Sequence, residues 1–320
     1  MKAAVLRELG KAPGCADFAE PVAGDGEALV RVRAASLKAI DKQLASGKHY
    51  ASPRELPVVC GTDGVGDFED GTRVFFGGCR KPFGAMAERS VVPRAFCFPV
   101  PEGLDDQTAA ALPNPGVSAW LSLLHRAKVA AGETVLILGA TGVTGQLSVQ
   151  IAKAAGAGRV IAAGRDEKAL AKARELGADE TIGLSMAKEN VKEAFAAEIA
   201  NGGIDVVIDY LWGEPTELLL SAMTKPEFAA ISKETRLLQV GESAGPAITL
   251  PAAVLRSTAL TILGTAGIPP MALLTEAMQQ VLGRGARGEL RIETEGIGLD
   301  EIAGAWERKT ASGRRIVVVL

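Results

Sequence analysis

Gly139-Ala140-Thr141-Gly142-Val143-Thr144-Gly145 is the stretch that decides the fold. Residues 133–138, just before it, are an apolar run with the length of a buried parallel strand. Residues 146–155, just after it, read as a helix. A strand, spaced glycines and a helix make a cradle for a pyrophosphate. The glycines permit a tight turn and close backbone approach, and the helix start offers open N–H groups and a positive dipole end. The spacing is GxxGxxG rather than GxGxxG, so the strand–turn–helix context carries the reading of nucleotide binding over a structural glycine turn. Gly139, Thr141, Gly142, Val143 and Thr144 are therefore the expected cofactor contacts.

From residue 113 onward, strands and helices alternate. Residues 159–163 form a second strand, 168–176 a helix stopped by Gly177, and 204–209, 237–241 and 260–264 further strands. Such alternation implies a parallel, doubly wound sheet. The earlier residues differ: β-like pieces at 28–35 and 72–76 are interrupted by Pro and Gly, as in an antiparallel or barrel-like β domain. Gly61, Gly64 and Gly66 precede no helix and read as strand and turn. A helix is expected at about 271–282. Residues 315–320 read as a terminal strand returning to the first domain, since a parallel sheet could take it in only through a crossover. The expected division is a β domain over 1–112 completed by 268–320, and a doubly wound domain over 113–267.

Apolar residues are 48% of the chain, enough for substantial cores, and aromatics are only 4%, so those cores should consist of Ala, Val, Leu and Ile. A net charge of −3, with scattered basic residues, gives no electrostatic case for nucleic acid or an acidic membrane surface. No run approaches a membrane span, and the charged residues 1–8 read as a strand rather than an export signal. A cytoplasmic protein with reduced thiols is expected. Four cysteines form no CxxC pair and there are only two histidines, so no metal is expected.

Several phrases now fall into a familiar order: Met1-Lys2-Ala3-Ala4-Val5, Ala109-Ala110-Ala111-Leu112-Pro113, Gly116-Val117-Ser118-Ala119-Trp120, the glycine turn, and Leu176-Gly177-Ala178-Asp179-Glu180. Together they resemble the medium-chain dehydrogenase/reductase superfamily, and most closely its zinc-free quinone oxidoreductase branch. The resemblance implies an α/β protein with a GroES-like β domain and a Rossmann doubly wound parallel-sheet domain. It implies that Ser118 lies near the cofactor phosphates, and that Gly241-Glu242 and Gly264-Thr265 approach the nicotinamide ribose and carboxamide. It also implies a homodimer joined near 258–263. One departure stands out: zinc-free members often carry Tyr after the Gly-Ala-Asp phrase, where this chain has Gly183-Leu184.

The end of the second Rossmann strand discriminates NAD from NADP, because an acidic residue there binds the ribose 2′-OH and repels a 2′-phosphate. Here it reads Ala163-Gly164-Arg165-Asp166. Gly164 leaves room, Arg165 supplies a planar cation suited to phosphate, and Lys168 adds a second charge, so NADPH is the expected cofactor. Asp166 is the opposing residue, able to bind a 2′-OH if it turns inward.

In metal-dependent members of the resembled superfamily a zinc-ligand cysteine follows the early Val/Arg-rich strand, and zinc-free quinone reductases tend to place Asn there. Lys38 holds that position here. Thr62 stands where the family has a ligand histidine. Negative charge grows on the acceptor oxygen as hydride arrives, so a donor should lie close by. Lys38 is the first candidate, against the alternative that Asp41 ties it up. Tyr50 resembles the aromatic that follows the family's Ser-Gly phrase and could stack on a planar substrate or donate its hydroxyl, against a role in packing alone. Tyr210 borders a strand end, as substrate contact or as ordinary loop packing. Cys60 reads as a buried thiol.

The expected function is an NADPH-dependent, metal-free oxidoreductase that transfers hydride to a small quinone or α,β-unsaturated carbonyl compound. The alternatives are a non-catalytic NADPH-binding regulatory or structural protein, and an enoyl-thioester reductase, which would need a basic patch for carrier phosphates.

Overall fold

The computed structural model describes residues 1–224, 233–267 and 269–320. The chain divides into two units, Met1–Asn114 with Met278–Leu320, and Pro115–Ala277. Residue 268, where the second boundary was expected, lies outside the described residues.

The first unit opens with β1 (Lys2–Leu6), β2 (Gly14–Asp17) and the long β3 (Glu27–Leu37). In β3, Ala28, Val30, Val32 and Ala34 are buried while Arg31 is exposed, the period of two of a strand with one face on a core. Next come α1 (Ala39–Ala45), β4 (Val58–Val59), β5 (Asp63–Asp67), β6 (Arg73–Gly77), β7 (Arg89–Pro93), β8 (Cys97–Pro99) and α2 (Asp106–Ala111). Gly64 and Gly66 lie inside β5. A Cβ on Gly66 would come 2.3 Å from the Arg31 carbonyl oxygen, so these glycines let β3 and β5 approach each other.

α3 (Pro113–Trp120) carries the chain into the second unit and continues as a π-helical turn, Leu121–Arg126. There follow β9 (Thr134–Leu138), α4 (Val143–Ala154), β10 (Arg159–Gly164), α5 (Glu167–Glu175), β11 (Glu180–Gly183), α6 (Lys188–Ala200), β12 (Val206–Asp209), α7 (Gly213–Met223), β13 (Glu234–Gln239), α8 (Ala252–Ser257) and β14 (Ala259–Gly264). The strands form one parallel sheet in the order β11-β10-β9-β12-β13-β14. Val135, Leu136, Ile137 and Leu138 of β9 are fully buried, each contributing about 2 kcal/mol of transfer free energy. The strand order reverses at β9, and a crevice opens outside the carboxyl ends at such a switch point.

α9 (Met271–Ala286), β15 (Glu293–Gly298), α10 (Ile302–Glu307) and β16 (Arg314–Val319) complete the chain. β16 pairs antiparallel with β3 and parallel with β15, so the last strand does return to the first unit's larger sheet. Ile316 and Val318 join Val30, Val32, Phe76 and Met86 in its core.

The local expectations differ from the structure in several places: β12, β13 and α9 run over Val206–Asp209, Glu234–Gln239 and Met271–Ala286 rather than 204–209, 237–241 and 271–282. α4 begins at Val143 rather than Gln146, which puts Gly145 inside the helix. β11 and α6 went unseen, because β11 has four residues and α6 buries only Val191 and Phe195. Among the described residues no helix is long and apolar enough to cross a membrane.

Candidate functional site

In the second unit, Gly139 takes φ +88°, and the N–H groups of Gly139 and Ala140 both donate to the Ala163 carbonyl at 2.9 Å. The turn leaving β9 is thereby pinned to the end of β10. Gly142 is the N-cap of α4 and supplies no side-chain cap, which leaves the first-turn N–H groups of the helix open to an anion. A Cβ on Gly145 would come 2.2 Å from the Gly139 oxygen, so the third glycine packs the helix onto the turn. These features suit a dinucleotide pyrophosphate. Gly139, Thr141, Gly142, Val143 and Thr144 all belong to this one turn.

At Gly164 the room is already taken. A Cβ there would lie 2.3 Å from Thr141 Cγ2, so Gly164 admits the Thr141 side chain. Arg165 and Lys168 are exposed and form no ion pair among the described residues. Asp166 is the N-cap of α5, its Oδ1 accepting from Ala169 N–H at 3.1 Å. Its carboxylate therefore serves the helix start.

The loop after β12 is held from inside. Asp209, wholly buried, accepts from Leu211 N–H and Trp212 N–H at 2.8 Å each and from the Thr216 hydroxyl at 2.5 Å. Burial raises its pKa against the pull of those bonds. Tyr210 shares a 2.7 Å hydrogen bond with Ser148 of α4, and its hydroxyl is buried, which raises its pKa strongly. Tyr210 thus braces α4. Gly241 packs against this loop, where a Cβ would meet the Tyr210 oxygen at 2.7 Å. Glu242, Gly264 and Thr265 are exposed, and Ser118 is half-buried on α3. The Gly264 carbonyl accepts both Arg126 Nε (3.0 Å) and a terminal Arg126 nitrogen (2.7 Å). Sequence reasoning missed Arg126, which lies far from Gly264 in the chain.

In the first unit, Lys38 is the N-cap of α1 and is 3% exposed. Its ammonium donates to Asp63 Oδ1 at 2.8 Å, Ser36 O at 3.1 Å and Ser36 Oγ at 3.3 Å, and lies 3.4 Å from Asp41 Oδ2. Burial opposes the charge, but Asp41 and Asp63 outweigh it and raise the Lys38 pKa. Arg315 of β16 adds a second cation beside the two carboxylates and donates to the Leu37 carbonyl at 3.2 Å. The group of Lys38, Asp41, Asp63 and Arg315 balances in charge. Sequence reasoning saw Lys38 and Asp41, but not Asp63 or Arg315.

Asp41 also joins two segments. Its Oδ2 accepts from Lys38 N–H at 2.8 Å and its Oδ1 from Thr62 N–H at 3.1 Å. Asp41, Cys60, Gly61, Thr62 and Lys81 line a small pocket with about 20 Å³ of free space, room for one water molecule. Burial pushes the Cys60 thiol up to about 12, so it stays protonated and is no nucleophile. Tyr50 does not line this pocket. It is 97% exposed, with its ring 4.3 Å from that of His49. Among the described residues no three His, Cys, Asp or Glu side chains gather as a metal site.

Residues 143–282 match the family described as zinc-binding dehydrogenase. A quinone oxidoreductase-like protein 2 homolog from Nematostella vectensis is 30% identical over 265 residues, 79% of this chain and 69% of that protein. The quinone oxidoreductase of Thermus thermophilus, whose structure is also known with NADPH, is 32% identical with a TM-score of 0.80, covering 100% of both chains. A mycobacterial quinone oxidoreductase superposes with a TM-score of 0.84 over 100% of both chains at 22% identity, a likeness of fold alone.

Proposed function

Because the chain belongs to the medium-chain dehydrogenase/reductase superfamily, in its quinone oxidoreductase-like branch, we propose that it is an NADPH-dependent, zinc-independent oxidoreductase that reduces a quinone or an α,β-unsaturated carbonyl compound. The observation that carries this reading is the uncapped start of α4 behind the Gly139 turn, at the switch point of a parallel sheet. The cofactor supplies hydride when bound. This chain's part is to hold it: the Gly139–Thr144 backbone on the pyrophosphate, Ser118 nearby, and Gly241, Glu242, Gly264 and Thr265 toward the nicotinamide end.

Supporting NADPH over NADH, Arg165 and Lys168 are exposed cations without ion pairs among the described residues, and Asp166, the residue that could bind a 2′-OH, caps α5. Supporting zinc independence, the Lys38 ammonium already neutralises buried carboxylates and would repel a dication, and Thr62 is no ordinary zinc ligand. Lys38 becomes a supporting residue rather than the donor itself, since its ammonium is engaged on all sides. Tyr50 is free to cover a planar acceptor. We further propose a cytoplasmic homodimer paired along the β14 edge at 258–263, where a strand edge without a partner among the described residues needs cover.

The test is oxidation of NADPH, with NADH beside it, against one simple quinone and one conjugated enone. Turnover preferring NADPH is expected, and the better acceptor separates the two substrate classes. NADPH binding without turnover on any acceptor would instead favour a non-catalytic nucleotide-binding protein.

A further inference from the structure

One residue from a neighbouring strand end grips the glycine turn of the second unit on both sides. Tyr210, the first residue after β12, donates its N–H to the Leu138 carbonyl at 3.1 Å, on the strand that enters the turn. Its hydroxyl meets Ser148 Oγ at 2.7 Å, on the helix that leaves the turn. Between these bonds it packs on Gly139, where an added Cβ would meet Tyr210 Cβ at 3.2 Å and Leu211 Cδ2 at 3.1 Å. So β9, the turn and α4 share a single brace.

The direction of the hydroxyl bonds follows from counting protons. Ser148 is wholly buried and gives its one hydroxyl proton to the Thr144 carbonyl at 3.0 Å, so Tyr210 is the donor to Ser148. Burial raises the Tyr210 pKa, so that proton stays in place. The chain from the Tyr210 hydroxyl through Ser148 to the Thr144 carbonyl ends on the peptide whose other pole is the Gly145 N–H. Gly145 is the third residue of α4, so its N–H is among those the helix itself leaves without a partner. A hydrogen bond to a carbonyl polarises its peptide and makes the N–H a stronger donor to an anion.

The loop that carries Tyr210 is itself fixed. The Tyr210 carbonyl accepts from the Ser243 hydroxyl at 3.0 Å. Trp212 takes φ +56°, a left-handed conformation that suits glycine, and a bulky residue keeps such a backbone only where its surroundings over-determine it. Asp209 does so, holding the N–H groups of Leu211 and Trp212 at 2.8 Å each.

We propose that Tyr210 is a positioning residue for the cofactor's pyrophosphate: through Ser148 and Thr144 it holds the open N–H groups of the first turn of α4 in register with the Gly139 turn. The proposal rests on the nucleotide-binding reading above. Every residue involved lies in the second unit.

Tyr210→Phe removes the hydroxyl at nearly constant shape, and Ser148→Ala removes the same bond from the helix should the phenylalanine not be tolerated. Calorimetric titration of the full chain with NADPH, NADH and 2′-AMP reads the outcome, because 2′-AMP carries the adenosine end without a pyrophosphate. Both variants should weaken NADPH and NADH by the same factor, about 5-fold, and leave the 2′-AMP Kd unchanged. Tyr210→Phe added to Ser148→Ala should cost little more, since the bond is already gone. An unchanged NADPH Kd in Tyr210→Phe overturns the role of Tyr210 and leaves the reductase reading standing. An equal loss for 2′-AMP also overturns it, in favour of a general loosening of the unit. Full additivity in the double variant overturns the route through Ser148. A wild type that binds neither NADPH nor NADH overturns the nucleotide-binding reading and the role of Tyr210 with it.

Discussion

Lys38 Nζ lies 2.8 Å from Asp63 Oδ1, and these two side chains, 25 residues apart in sequence, are both almost wholly out of water. Removing one member of a buried pair strands the other. Lys38→Met should therefore destabilise the protein by about 3–5 kcal/mol, and combining it with Asp63→Asn should recover much of that loss. Urea-unfolding midpoints compare the two, and equal midpoints would count against the pair. If Lys38 supports the reaction site, Lys38→Met should also lower turnover with NADPH affinity largely kept.

The same pair sets a pH dependence. Lys38 titrates above its ordinary value in the folded protein, because Asp41 and Asp63 outweigh the effect of burial. Its stabilisation is then complete below the ordinary lysine range and is lost as pH rises through the higher folded value. The stability gap between wild type and Lys38→Met should narrow in strongly alkaline solution, as Lys38 loses its proton, and also on acidification, as Asp63, whose pKa burial raises, gains one. A gap that closes near neutrality would mean that Lys38 and Asp63 are not both charged there.

Thiol reactivity separates the cysteines. Cys15 is exposed, whereas Cys60 is buried with its pKa pushed up to about 12. Iodoacetamide at about pH 8 should alkylate Cys15 and leave Cys60 unmodified in the folded protein, with both modified after unfolding. Peptide mass mapping checks the order. Early labelling of Cys60 would show that its pocket opens readily.

Arg165→Ala should weaken NADPH binding about 10-fold or more and NADH binding little, since a charge-assisted bond to the 2′-phosphate is worth about 1.5–3 kcal/mol. Lys168→Ala should act in the same direction. Titration with each cofactor reads this, and equal losses for both would remove Arg165 from the phosphate.

Gly164→Ala should disturb the glycine turn rather than choose between cofactors. The new methyl would lie 2.3 Å from Thr141 Cγ2, an overpacking that costs about 1–3 kcal/mol. NADPH and NADH should both bind more weakly. Thr141→Ala added to Gly164→Ala should restore part of the loss, and no restoration would separate the two positions.

Sequence alone determined the parts of this protein that are local. β9 and the glycine turn are contiguous, and their apolar run and spaced glycines are written in adjacent residues, so the doubly wound unit was legible although the start of α4 was placed three residues late. The return of β16 to the first sheet was legible because a parallel sheet could not take that strand in without a crossover. β11 and α6 escaped because short or mostly solvated elements carry little periodicity.

Tertiary structure decided the chemistry of individual side chains. Sequence left Lys38 open between a donor and a partner of Asp41, and the fold decided it: β5 brought Asp63 to it and β16 brought Arg315 beside both carboxylates. Arg126 meets the Gly264 carbonyl across 138 residues, and Arg315 meets the Leu37 carbonyl across 278. Backbone preference acts between neighbours, so sequence reveals it. Burial and pairing depend on which distant segments the core brings together, and these fixed the charge of Lys38 and set the Tyr210 hydroxyl on Ser148.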